Sequence, residues 1–132
     1  IESINAVANQ RRGMLSEEDA AELMARMRRM VLNPRDRFTI LSLAEAEVSY
    51  GDIAGGTCTG RRYALKRPAT HLILEVVSHP QEGTRYFLEL VQFHGLSITS
   101  FPLDSWKFFK DRVEFKFYAP PETGLGLSFI LR

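Results

Sequence analysis

Cysteine is almost missing from this chain: Cys58 is the single one in 132 residues. An internal disulfide is therefore excluded, and the usage fits an intracellular, reducing compartment, a mitochondrial or other organellar one included. No run of about 18 apolar residues occurs, so no membrane-spanning helix and no membrane partner are expected. Charge of one sign is also lacking. The net charge is +1, too small for a field that attracts nucleic acid over the whole surface, so any such partner must be held by a local patch. The chain opens on Ile1 rather than Met and carries no signal-peptide pattern; it reads as a trimmed fragment or mature form from which a targeting segment could have been removed. What is present is ordinary for a globular protein. With 45% hydrophobic and 25% charged residues, 1–132 has the length and composition of one domain with a real core.

Chemical motifs are as scarce as cysteines. Gly55, Gly56 and Gly60 make 51–60 glycine-rich, but no Lys-Ser/Thr follows, so the segment reads as a loop and not as a phosphate cradle. His71 and His79 fall on one face of a strand but roughly 26 Å apart along it, and no Cys or Asp cluster completes a ligand set. Cys58 and His94 are a conceivable nucleophile and base, yet nothing in the spacing places them together. Glu45, Glu47 and the other carboxylates are scattered, and no pair is implied to share a site. The expectation is no catalytic residues, no metal and no cofactor.

The patterning is more informative. Ser16 ahead of Glu17, Glu18 and Asp19 is a helix cap followed by first-turn acids. Leu23, Met24, Met27, Met30 and Val31 recur at helical spacing, which predicts a helix over 16–32 that stops before Pro34, with part of 24–32 also readable as a strand. Phe38–Leu41 reads as a short strand and Ser42 as the cap of a short helix through Val48. After the loop come a basic strand over Arg62–Lys66, an alternating strand over 71–79, a turn at Pro80–Gly83 and an antiparallel partner over 85–93. A fourth strand ends at Pro102. Asp104 then caps a helix whose stripe is Trp106, Phe109, Val113 and Phe117, although the alternation of Val113, Phe115 and Phe117 also suits a strand. Residues 119–132 form a C-terminal extension whose apolar run, 127–131, is a strand or an extended docking segment.

The strands at 71–79 and 85–93 are apolar on both faces. A sheet with helices on one face is polar on the other, so the outer face, with Phe87, Val91 and Phe93, is expected to meet a partner, a ligand or a second sheet. Arg61, Arg62, Lys66 and Arg67 surround Tyr63, and Arg85-Tyr86 opens a strand that can lie near them. Cations interleaved with aromatics on a sheet suit a single-stranded nucleic acid, with phosphates on Arg and bases on rings; an edge strand protected by charge has the same composition.

The run from 61 to 118 thus reads as a ββββα unit, and the fold expected is α+β: antiparallel sheet of ββββα type with helices packed on one face. Leu72–Val77, the turn at Gly83, Tyr86–Leu90, Ile98–Pro102, Trp106–Phe109 and Phe115–Pro120 give that unit a resemblance to the Whirly family of single-stranded DNA-binding proteins, and to the PUR and mitochondrial RNA-binding proteins of that fold. Residues 33–50 resemble the last strand and helix of a partial first unit. The resemblance covers about 33–120, and the Lys-Gly-Lys-Ala-type motif of Whirly DNA binding is absent. It implies a non-catalytic binder of single-stranded RNA or DNA. The partner would lie on Arg61, Arg62, Tyr63, Lys66, Arg67, Arg85 and Tyr86, in a homo- or hetero-oligomer. A protein-interaction or assembly module on the same scaffold is the alternative.

Overall fold

The computed structural model describes residues 14–33, 41–53, 55–118 and 127–132. These form eight strands and one helix. β1 is Met14–Leu15 and α1 is Glu17–Leu32; β2, Ser42–Ile53, β3, Gly56–Arg67, and β4, Thr70–His79, follow. Then come β5, Gly83–His94, β6, Ser97–Phe108, β7, Val113–Phe117, and β8, Leu127–Leu131. From β2 to β8 each strand pairs antiparallel with its neighbour in the chain, and β1 adds to β5 through Met14–Phe87 and Leu15–Tyr86.

This corrects the α+β expectation of a ββββα unit with helices on one face. The architecture is one eight-stranded antiparallel sheet that carries a single helix. The helix expected from Asp104 is two strands. Trp106 and Phe108 pair across from Phe115 and Val113, around a turn in which the Phe109 amide donates to the Arg112 carbonyl at 2.8 Å. Two alternating strands joined by such a turn place apolar residues at the spacing of a helical stripe. Aromatic and β-branched residues then favour the pleated surface. The short helix expected over 43–48 is likewise strand: Ser42 to Ser49 pair without a break against Lys66 to Thr59, and this pairing overrides the helix preference of Ala and Glu. Residues 34–40 and 119–126 lie outside the described ones, and with them most of the strand expected at Phe38–Leu41.

The expected loop at 51–60 is a hairpin. Its glycines serve close packing: a Cβ on Gly60 would stand 2.9 Å from a Glu75 carboxylate oxygen and 3.0 Å from the Tyr50 ring. Gly51 follows a break in register after Ser49 and takes a φ of 89°, a backbone that glycine tolerates best.

The helix obeys its local signals. Ser16 Oγ accepts from the Asp19 amide at 3.2 Å, and the acids of the first turn face the positive end of the helix dipole. A 16-residue helix is marginal alone. Here Ala20, Leu23 and Met27 are buried against the inner face of the sheet, made by Leu65, Leu72, Leu74, Leu88, Leu90, Phe101, Leu103, Val113, Phe115, Phe117 and Leu131. Each large apolar side chain buried this way contributes about 1.5–3 kcal/mol. Polar contacts fix its position. Trp106 Nε1 donates to Asp19 at 2.7 Å, and Arg26, held by Glu22, donates to the Arg112 carbonyl at 3.1 Å. The sheet curls around this core, so that the Arg67 guanidinium on β3 lies 5.4 Å from the ring centre of Phe129 on β8. Curling is helped at β6, which pairs with β5 up to Pro102 and with β7 from Leu103, with a register break between Leu103 and Ser105.

Candidate functional site

The strand registers divide the expected nucleic-acid residues between two faces. Arg61, Tyr63 and Arg67 share the inner face of β3 with Leu65, and Tyr86 shares that of β5 with Leu88. Arg62, Lys66 and Arg85 point to the outer face. No single surface therefore holds the set. Both tyrosines are half-buried against the core, so their rings are not free platforms for bases. Burial, and then the charge of Glu17, raise the Tyr86 hydroxyl above its ordinary pKa.

Carboxylates already satisfy much of the basic charge. Arg61 donates to Glu45 at 3.2 Å and to Glu47, and Arg28 approaches Glu45 at 3.9 Å from the helix. Arg62 donates to Glu75 at 2.7 Å. Arg85 turns back to the Thr84 carbonyl at 3.0 Å. Arg67 sits over Phe129, with its buried Nε lacking a hydrogen-bond partner among the described residues. Lys66 is exposed on the outer face.

The most buried polar arrangement escaped the sequence reading. Glu75 is only 2% exposed, in the middle of β4, and accepts from Arg62 and from the Tyr50 hydroxyl. It shares the outer face with Val77 and lies opposite Phe87 in the register, in the space Gly60 leaves open. Burial works against the Arg62 charge, but the hydrogen bonds and attraction of Glu75 and Tyr50 outweigh it and raise the guanidinium above its ordinary value. A buried carboxylate held in this way is a structural lock on the β2–β3–β4 hairpins. The available signal was an acid within the apolar run Leu72–Val77, at the position where a tight hairpin sets it opposite Arg62.

Two further expectations can be placed. Cys58 is fully buried at one end of the sheet, whereas His94 closes β5 at the other, roughly 30 Å along the strand, so the two form no pair. His79 is buried, and its Nδ1 accepts from the amides of Gln81 and Glu82, which makes it part of the β4–β5 turn. The His71 ring lies 4.6 Å from that of Phe93, tilted by 58°, and burial, then the charge of Lys66, lowers its pKa. Among the described residues no group of three His, Cys, Asp or Glu is placed to hold a metal ion. No helix among them is long and apolar enough to cross a membrane.

At the β5–β6 end the molecule presents apolar residues. On the β5–β6 hairpin Phe93 pairs with Ile98, which is 66% exposed, and Leu96 at the tip is fully exposed. Half-buried Ile73 and the tilted His71–Phe93 ring pair continue this surface onto β4 and β5, whereas Val91 and Phe87 on the same face are buried. No known protein family matches the chain, and no curated protein or solved structure matches it.

Proposed function

We propose that this chain is a non-enzymatic protein-interaction and assembly domain. One observation carries the reading: Leu96 and Ile98 stand exposed at the β5–β6 hairpin beside half-buried Phe93, where a sheet with its other face on the core is expected to be polar. The neutralised, two-sided placement of the arginines supports it, since a polypeptide needs no continuous cationic track. The test is a photo-crosslinking residue placed at position 98 of the whole protein in cells, with position 110 as control. A polypeptide adduct specific to position 98 is expected. Equal labelling at both positions, or none, would overturn the reading.

Single-stranded RNA or DNA is the second reading, favoured by Lys66 standing beside the His71 and Phe93 rings on the same face. Fluorescence anisotropy with short oligonucleotides separates the two. Binding that weakens steeply between about 50 and 200 mM salt, and is lost in Lys66→Ala, would put nucleic acid in place of protein as the partner.

A further inference from the structure

We propose that the β8 edge is a self-association strand, which pairs antiparallel with β8 of a second copy of this chain. The proposal deepens the protein-interaction reading and rests on it only in taking a polypeptide as partner. Its starting point is a missing defence. Sheet edges are normally blunted by charge, proline, a bulge or shortness, because their unpaired amides and carbonyls accept any other strand, and of these β8 has shortness alone. The segment Leu127-Ser128-Phe129-Ile130-Leu131 has no charged residue, no proline and no glycine, and its register with β7 is unbroken. Among the described residues no strand pairs with its other side. The Arg67 guanidinium lies 5.4 Å from the ring centre of Phe129.

The occupant follows from the symmetry of the strand. Leu127, Phe129 and Leu131 face the core, whereas Ser128 and Ile130 face outward, Ile130 being 42% exposed. In a two-fold antiparallel pair, opposed residues share a face, so only registers that set odd positions against odd positions keep both cores on one side of a continuous sheet. Of these, the register centred on Phe129 pairs all five residues. Leu127 then meets the second copy's Leu131, and Phe129 meets its own counterpart, which extends an existing apolar cluster. Ser128 meets Ile130 outside, beside a cleft of about 450 Å³ lined by Lys107, Glu114 and Lys116. The absence of charge matters here, because identical charged strands set against each other repel. Five residues give less contact than the roughly 1,200–2,000 Å² of a standard interface, so the dimer is reversible and concentration-dependent.

The test uses the whole chain. Sedimentation velocity over a hundredfold concentration range is expected to show a monomer–dimer equilibrium. Ser128→Lys/Ile130→Lys sets like charges opposite each other at the outer pairs and is expected to shift the midpoint at least tenfold toward monomer, with the circular dichroism unchanged. A register test guards against a variant that merely misfolds. Ser128→Cys mixed with Ile130→Cys is expected to form a disulfide-linked dimer under mild oxidation, severalfold more than either alone, with buried Cys58 as an internal control. A chain that is monomeric throughout and shows no excess cross-link in the mixture overturns the β8 proposal. If the adduct at position 98 is still obtained, the protein-interaction reading stands without it.

Discussion

β2 and β8 are the two ends of the same sheet, and they are finished differently. β2 is twelve residues long, carries Glu45, Glu47 and Asp52, and breaks register near Gly51. Glu45 and Glu47 are bound from the neighbouring strand by Arg61, Glu45 is approached from the helix by Arg28, and Asp52 accepts from Thr57. β8 is five residues long, uncharged and regular. Shortness is its one protection. The difference teaches that charge on β2 and β3 has a local use, which is to close an edge, and that a run of basic residues on a strand is not by itself a binding track. It also divides the forces. The β2 side is held by the buried Glu75 carboxylate with its bonds to half-exposed Arg62 and to Tyr50, the β8 side by aromatic packing.

Removing the packing should have the largest effect. Phe115 lies between Trp106 and Phe129 in the register and is buried. Phe115→Ala is expected to lower unfolding free energy by about 3–5 kcal/mol in a denaturant titration. A loss below 1 kcal/mol would mean that β7 and β8 stand apart from the core. Glu75→Gln keeps the shape but loses the charge that faces Arg62, and a cost of about 1.5–3 kcal/mol is expected by the same measurement. An unchanged midpoint would show that the β2 side needs no ion pair. The smallest change in stability is expected from Glu45→Ala/Glu47→Ala, because exposed pairs contribute about 0.2–1 kcal/mol each. That variant should nevertheless scatter more light as its concentration rises. If it does not, length and the irregularity at Gly51 protect β2, and the acids are incidental.

Much of the chain was readable because its signals are local. Ser16 and the three acids after it mark the start of α1, and the Pro80–Gly83 turn joins β4 to β5 where expected. The segment 104–118 was not readable because the spacing of Trp106, Phe109, Val113 and Phe117 satisfies both a helix and a strand–turn–strand; what decides is the pairing of β7 with β8, which lies outside the segment. Glycine misled for the same reason. Gly60 looks like loop composition until Glu75, fifteen positions on, is seen to need its space. The candidate basic residues are divided between two faces because alternation along β3 sends Arg61 and Arg62 to opposite sides, and a cluster in sequence is then two half-clusters in space.

The meander has a consequence for how the molecule forms. Every pairing from β2 to β8 joins strands adjacent in the chain, so each hairpin closes a short loop and the sheet can grow by successive additions. β1 is the exception: Met14 and Leu15 reach Phe87 and Tyr86 across more than half the length of the chain. The entropy of that closure favours a β4–β5 hairpin already in place. The N-terminal strand and the helix it leads into are thus built to arrive late, as a plug set into a sheet that already has its shape.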